Sequence, residues 1–249
     1  MLRLLTIPIS HYCDKARWAL ERAGLEYREE AHLQGWHWLA TRRVGGGRTV
    51  PVLVTPDAVL TDSTDIVAWA DTQLPAHQRL LTEEAAPWDA RFGATLGPAA
   101  RMWTYDRVAT DYALAAEFGT PGTPGWQRGT LPLTYPMMLR VIRRILDWSD
   151  ATLPGAIATV DREFDAVAEV LRDGRPYLCG DQFTAADLTF ASMAAAVVFP
   201  PEYGVPLPTA ARLSAEAARE HQRWRDHPAG AFALQLYTRH RRDRLSREQ

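Results

Sequence analysis

The N-terminal part of the chain alternates short apolar or β-branched runs with amphipathic stretches, which is typical of a small α/β domain. "LRLLTI" predicts a buried strand that ends at Pro8, because proline cannot donate to a sheet ladder. Residues 11–23 predict a helix, since their apolar side chains fall on and beside one face and Gly24 suits the position just past the end. "EYREEAH" predicts a second strand.

The pattern that follows predicts a hairpin and another helix. Residues 33–47 are polar and glycine-rich, and they predict either a loop or a short helix. "TVPVLVTPDAVLTD" holds two short β-branched runs around the turn "TPDA", which predicts a hairpin. "STDIVAWADTQL" predicts a helix, so the predicted order is β-α-β, loop, β-β-α.

Beyond a polar, proline-bounded stretch at residues 75–87, the strand signals fade and the apolar spacing predicts helices only. The predicted helices cover residues 88–117, 135–149, 157–173, 185–198, 209–226 and 230–244. We therefore expect three parts: an α/β domain of residues 1–76, a linker of residues 77–87 and an all-helical domain of residues 88–249.

One stretch of the helical part breaks the pattern. Residues 119–136, "GTPGTPGWQRGTLPLTYP", are too rich in glycine and proline to predict helix or sheet. A loop of this length inside a helical domain is often functional. The alternative is a surface excursion without a role in function, and the sequence favours neither.

Composition and charge narrow the range of functions. With 249 residues and 47% hydrophobic content, the chain can bury a substantial core. Its net charge of −2 excludes a general nucleic-acid footprint. We interpret the basic clusters "RVIRR" and "RHRRDRLSR" as a solvated helix face and a tail. Since no run of about 18 apolar residues occurs, we expect no membrane span.

The cysteines and the N-terminus bear on the cellular compartment. Cys13 and Cys179 are the two cysteines, and they are far apart in sequence. Two cysteines in a chain of this length do not make a disulfide framework, which favours a reducing compartment. "MLRLLTIPIS" lacks the length and cleavage site of a signal peptide. The expected location is therefore cytoplasmic.

Candidate chemistry begins with "SHYC", residues 10–13, between the first predicted strand and helix. A helix N-terminus presents unpaired N–H groups and the positive end of the helix dipole, and both stabilise a thiolate. The Ser10 hydroxyl can donate a hydrogen bond to a sulfur anion at this position.

Two further motifs lie in the same domain. In "RTVPV", spacing alone favours a trans Pro51, since about 5% of X–Pro bonds are cis, whereas a cis bond would turn the Val50 backbone outward towards a peptide-like ligand. In "TDSTD", capping alone explains Asp62 and Ser63. An acid at a helix N-terminus can also hold an ammonium and a carboxylate together.

Taken together, the motifs resemble those of glutaredoxins and glutathione S-transferases. "SHYC" is similar to the glutaredoxin CPYC box with Ser10 in place of the leading cysteine, "RTVP" is similar to the T-V-P element with its cis proline, and "TDS" matches the acid-Ser pair for the γ-glutamyl end of glutathione. "YLCGDQFTAADLTFAS" is close to the signature of the helical domain of the transferases. Its physical content is a capping box between Thr184 and Asp187.

The resemblance to the glutathione S-transferases implies a thioredoxin-like domain followed by an all-α helical bundle, with glutathione as cosubstrate and no metal. Ser10 is the implied catalytic residue, donating its O–H to the glutathione thiolate. Thr6 stands where tyrosine-type transferases place their hydroxyl, so that mechanism is not expected. The implied glutathione-binding residues are Ser10, Tyr12, Arg48, Val50, Pro51, Asp62 and Ser63.

An apolar pocket for a small hydrophobic electrophile is expected between the two domains. Its candidate residues are Tyr12, Met102, Trp103 and Tyr105, and helix core is the alternative for Met102 and Trp103. The serine at position 10 favours conjugation or isomerisation over thiol–disulfide exchange. The resemblance also implies a homodimer, and it does not assign the electrophile.

Two other functions stay open at this point. A glutathione-dependent oxidoreductase would use Cys13 as its thiol, with His11 as a possible base. Against it, Cys13 is expected to be packed, His11 is expected to lie in solvent, and Cys179 is interpreted as core. The third function is a non-catalytic, glutathione-binding module of transferase-like fold.

Overall fold

The computed structural model describes residues 1–241. Its N-terminal part contains a four-stranded sheet and three helices, in the predicted order. These elements are β1 (Leu2–Thr6), α1 (His11–Arg22), β2 (Tyr27–Ala31), α2 (His37–Arg43), β3 (Val52–Val54), β4 (Val59–Leu60) and α3 (Ser63–Asp71). Helix α2 is the short helix that the sequence offered as one of two alternatives.

The sheet has the strand order β2-β1-β3-β4. Strand β2 runs parallel to β1, whereas β3 and β4 are antiparallel to their neighbours. Leu4 of β1 pairs with Leu53 of β3, and Leu53 pairs with Leu60 of β4. Consecutive residues of β1, Leu4 to Thr6, are all buried, as expected of a central strand that is covered on both faces.

The helical part follows a 3₁₀ turn at Ala76–Gln78. Its helices are α4 (Ala85–Ala94), α5 (Leu96–Thr104), α6 (Tyr112–Phe118), α7 (Gly125–Ile145), α8 (Leu153–Val170), α9 (Ala185–Val198), α10 (Ala215–Asp226) and α11 (Pro228–Leu236). The predicted fold class, an α/β domain followed by a helical bundle, is confirmed.

Helix α9 is the centre of the bundle and has the predicted bounds. It packs against α1, α4, α5, α10 and α11, and thirteen of its fourteen residues are buried. A helix that is apolar all round must be buried in this way. Its start is fixed by Asp187, whose carboxylate accepts hydrogen bonds from the backbone N–H of Thr184 and of Leu178, both at 2.9 Å.

The prediction of a single helix over residues 88–117 was wrong. The chain there forms α4, α5, a π-helical turn at Tyr105–Ala109 and α6. Asp111 starts the last of these, since its carboxylate accepts from the backbone N–H of Ala113 at 2.8 Å and of Leu114 at 3.1 Å. The apolar spacing of residues 88–117 is continuous in the sequence, but the Asp111 cap starts a new helix within it.

The prediction that residues 119–136 form a loop holds for residues 119–124 and was wrong for residues 125–136, because residues 125–145 form α7 with two prolines inside it. Pro132 and Pro136 are exposed and four residues apart, so they lie on one solvent-facing side, where water can hydrate the carbonyls left without an intrahelical donor. On the other side, Leu131 and Tyr135 pack against Leu33. Tertiary burial outweighs the low helix propensity here.

The C-terminal end of the described chain is a π-helical turn, Tyr237–Arg241, that follows α11. It returns to α1: Asp14, which is fully buried, accepts from the Tyr237 hydroxyl at 2.6 Å and from the Arg241 guanidinium at 2.9 Å. The end of the helix predicted for residues 230–244 and most of the basic cluster at residues 239–247 lie outside the described residues. Within residues 1–241, every helix is too short or too polar to cross a membrane.

Candidate functional site

A cavity of about 480 Å³ lies between the sheet and the helical part of the protein. On one side it is lined by the first turn of α1, by α2 and by the segment before β3. On the other side it is lined by α5, the π-helical turn at Tyr105–Ala109, α6, α7 and the end of α9. The pocket for the electrophile was expected in this position, between the two domains.

Ser10 is the N-cap of α1 and lines this cavity. Its Oγ accepts a long hydrogen bond of 3.4 Å from the backbone N–H of Cys13. Among residues 1–241 the Ser10 hydroxyl proton has no oxygen or nitrogen acceptor, and the side chain with which it hydrogen-bonds is the Cys13 thiol. Because sulfur is a weak acceptor, a half-buried hydroxyl at the positive end of a helix can donate instead to an anion in the cavity.

His11 contradicts the expectation of a side chain in solvent, because its exposed fraction is 4%. Burial, with the Arg101 charge as a second cause, lowers the pKa of His11 to about 3. The ring packs against Tyr12, with 4.6 Å between ring centroids. His11 therefore stays neutral at physiological pH, which disfavours a role in exchanging protons with solvent.

Cys13 is completely buried in the first turns of α1 and does not line the cavity. Burial is the main cause that raises the pKa of its thiol. Cys179 is partly buried, and burial raises the pKa of its thiol as well. Neither cysteine has the exposed, electropositive surroundings that lower the pKa of a reactive thiol.

Tyr12 lines the cavity, but its hydroxyl is engaged elsewhere: it donates to the backbone carbonyl of Gly93 at 2.8 Å. The contact depends on Gly97, since a Cβ there would lie 2.3 Å from the Tyr12 hydroxyl oxygen. Tyr12 therefore ties α1 to α4 and α5. Its ring remains available to the cavity.

The segment before β3 supplies the backbone that the sequence singled out. The Val50–Pro51 peptide bond is cis, as the resemblance implied, whereas spacing alone favoured trans. Val50 lines the cavity, and among the described residues its backbone N–H and C=O make no hydrogen bond. Arg48 lines the same side and is exposed, and its carbonyl is 3.2 Å from Nε2 of His37.

Asp62 and Ser63 lie at the N-terminus of α3, outside the cavity lining. Asp62 is exposed and caps the helix, accepting from the backbone N–H of Thr64 at 2.7 Å. Ser63 is buried. Burial raises the pKa of Tyr12, and the Asp62 charge contributes to this, so Asp62 lies close to the first turn of α1.

Three of the residues that were expected to line the electrophile pocket lie in three different parts of the structure. Tyr105 lines the cavity, and burial raises its pKa to about 12, so its hydroxyl stays protonated. Met102 lines a second, more open cavity beside α8. Trp103 is fully buried and donates to Glu220 at 2.7 Å, so it belongs to the helix core.

Several residues that line the cavity carry no strong signal in the sequence, among them Gln34, His37, Trp38, Thr49 and Arg101. Gln34, His37 and Trp38 lie in or just before α2, where the only signal was the polar composition of residues 33–47. Thr49 lies inside the "RTVPV" motif but was not named as a site residue. Arg101 is one basic residue in an apolar helix and carries no local signal. Within the described residues, no group of three His, Cys, Asp or Glu side chains is placed to hold a metal ion.

Two family models match the chain. The model described as the N-terminal domain of glutathione S-transferases matches residues 4–78, and that of the C-terminal domain matches residues 147–228. Fold and cavity thus define a two-domain protein with a thioredoxin-like domain and a helical domain. The chain belongs to the glutathione S-transferase family.

Solved structures show the same fold at low identity. Glutathione transferase GSTFuA3 of Phanerochaete chrysosporium is 18% identical with a TM-score of 0.63, covering 95% of this chain and 96% of its own. A glutathione S-transferase of Ceriporiopsis subvermispora in complex with glutathione is also 18% identical, with a TM-score of 0.63 and 95% of both chains covered. One from Xanthobacter autotrophicus Py2 is 17% identical with a TM-score of 0.57, covering 96% of this chain and 93% of its own. No curated protein matches with statistical significance.

Proposed function

We propose that this protein is a glutathione transferase of the serine type, which activates the thiolate of glutathione for attack on a small electrophile. Glutathione lies along the sheet domain, with Val50 pairing its backbone and Asp62 and Ser63 near its γ-glutamyl end. Arg48 faces its glycyl carboxylate. The complex of the Ceriporiopsis relative with glutathione supports a ligand of this class on this fold.

The observation that carries the proposal is the position of the Ser10 hydroxyl, at the N-cap of α1 and beside the cavity. When the glutathione S–H loses its proton to solvent, the hydroxyl donates to the sulfur anion, and the N-terminus of α1 adds its positive dipole end. In a substitution the sulfur then forms a C–S bond while the leaving group departs with its electron pair. In the opening of an epoxide the C–O bond breaks as the C–S bond forms, and the ring oxygen takes the electron pair and then a proton from water. In addition to an enone the electron pair of the C=C bond moves to the enolate oxygen, and a proton from water completes the addition at the α-carbon.

The geometry weighs against the oxidoreductase alternative. A thiol–disulfide exchange needs an accessible thiolate, and Cys13 is buried with a raised pKa. We expect Cys13→Ala to retain full activity in a conjugation assay. Fast alkylation of Cys13 in the native protein, located by mass spectrometry, would restore the oxidoreductase hypothesis.

The test of the proposal is glutathione binding followed by turnover. Reduced glutathione is expected to raise the melting temperature, because a ligand that binds the native state alone stabilises it. A panel of aryl halides, epoxides and enones is then assayed for thioether formation. An unchanged melting temperature at saturating glutathione would contradict the proposal. Binding without turnover on the whole panel would favour a non-catalytic, glutathione-binding module.

The homodimer and the cytoplasmic location stay predictions. Size-exclusion chromatography with light scattering measures the first directly. The expected mass is twice that of the 27.9 kDa chain.

A further inference from the structure

Arg101 is a cation of α5 that lines this cavity and also the second one, and within residues 1–241 it has no anionic partner. Among residues 1–241 its guanidinium makes neither a hydrogen bond nor an ion pair, and its Nε is buried without an acceptor. The guanidinium carbon lies 5.8 Å from the centre of the Tyr12 ring. A partly buried cation in this state has lost part of its hydration without compensation.

The lining of the cavity offers no group that neutralises this charge. In residues 1–241 it contains no aspartate and no glutamate, and Arg48 and Arg101 are its two arginines. His11 and Tyr105, which both feel the Arg101 charge, are neutral at physiological pH. Within the cavity, a ligand anion would therefore be the first negative charge to meet Arg101.

The two arginines belong to different walls of the cavity. Arg48 lies before β3, on the side where glutathione is expected, and is exposed. Arg101 lies on the helical side, in the wall that also contains Val108, Leu131 and Ile142. A ligand that fills this side must be mostly apolar, with an anionic group where it reaches α5.

We propose that the second substrate is an apolar molecule bearing a carboxylate, and that Arg101 holds this carboxylate and sets the specificity. That this molecule is a substrate rests on the proposed function, whereas the binding of the molecule to Arg101 does not require glutathione. Arginine suits the task, since its planar group pairs with both oxygens of a carboxylate. Tyr105 lines the same wall, and its protonated hydroxyl can donate a hydrogen bond to the ligand.

The probes for the test are octanoate and octan-1-ol, which share an apolar chain and differ in charge. In calorimetric titrations near neutral pH without glutathione, octanoate is expected to bind at least about 10-fold more tightly, as for one charge-assisted pair. Arg101→Gln should remove this advantage and leave octanol binding within about 2-fold, while Arg101→Lys should retain part of it. Arg140→Gln, at an exposed arginine of α7 outside the cavity lining, is the matched control and should leave octanoate binding unchanged.

Equal binding of the two probes by the unaltered protein would overturn the proposal without any variant. So would an equal loss of both probes in Arg101→Gln. A third overturning result is unchanged octanoate binding in Arg101→Gln with a loss of thiolate absorbance from bound glutathione, which would assign Arg101 to thiol activation. Glutathione binding is titrated separately, so a failure of the proposed function is seen independently of the octanoate result.

Discussion

Lys15 of α1 and Asp89 of α4 form an ion pair inside the protein, with 2.6 Å between Nζ and Oδ1. Both side chains are almost excluded from solvent. Hydroxyls complete the cluster, since Thr64 of α3 accepts from Lys15 at 3.0 Å and Thr189 of α9 donates to Asp89. The pair therefore joins the sheet domain to two helices of the bundle.

Removing one partner of this pair should destabilise the protein strongly. Lys15→Met leaves the Asp89 charge buried and unpaired, which is expected to lower the free energy of unfolding by about 3–5 kcal/mol. The double variant Lys15→Met/Asp89→Leu removes both charges and should recover most of the loss. Urea unfolding followed by tryptophan fluorescence measures both. If the double variant were no more stable than the single one, the charge would not be the cause.

Ser10→Ala should lower the catalytic rate far more than the affinity for glutathione. The hydroxyl interacts most strongly with the thiolate, so we expect kcat/KM to fall about 100-fold while the Kd for glutathione changes less than about 3-fold. Steady-state kinetics and calorimetry give the two quantities. Ser10→Thr, which keeps a hydroxyl at the N-cap, is the matched control and should retain most of the rate. An unaltered rate in Ser10→Ala would remove Ser10 from the mechanism.

Two helix glycines near Tyr12 should respond to alanine in opposite directions. At Gly97 a Cβ would lie 2.3 Å from the Tyr12 hydroxyl oxygen and 2.7 Å from the Met193 sulfur, so Gly97→Ala should cost about 1–3 kcal/mol. At Gly93 nothing lies within 4 Å of an added Cβ, so Gly93→Ala should stabilise by up to about 1 kcal/mol through helix propensity. Thermal unfolding compares the two, and a stable Gly97→Ala variant would show that Tyr12 moves freely.

His11 should make the stability of the protein depend on pH. Its pKa is about 3 when folded against 6.5 in the unfolded chain, so between these values the unfolded state binds a proton that the folded state does not. The free energy of unfolding should therefore rise with pH in this window, by about 1.4 kcal/mol per pH unit from this group. As pH falls from 6.5 towards 3, the protein should lose the stability that the neutral His11 contributes.

The measurement for His11 is a comparison of slopes. His11→Gln should remove this contribution to the pH dependence between about pH 4 and pH 6, whatever its effect on absolute stability. Parallel pH profiles for His11→Gln and the unaltered protein would mean that His11 can be protonated in the folded state.

Elements with local causes were predictable from the sequence. The bounds of α9 follow from the capping box of Thr184 and Asp187 and from a run of apolar residues, all within about one helix length. Ser10 caps α1 in the same local way. The small α/β domain followed by helices was predictable because each of its strands is short and bounded by turn residues.

Features that depend on packing between distant residues were not predictable. Helix α7 forms in spite of Pro132 and Pro136 because Leu131 and Tyr135 find an apolar partner in Leu33, about 100 residues earlier. Its composition alone favours a loop. The burial of His11, expected in solvent, has the same kind of cause, since the helical part covers the first turn of α1.

The sequence by itself determined the order of the elements in the α/β domain, the caps of α1 and α9 and the family motifs around Ser10, because these depend on residues close together along the chain. Only the tertiary structure decided which side chains line the cavity. Arg101 of α5 lines the same cavity as Ser10 of α1, whereas Trp103 lies in the helix core and not in the expected pocket. Which side chains share a cavity depends on how the two domains pack, and no local pattern in a single sequence records that.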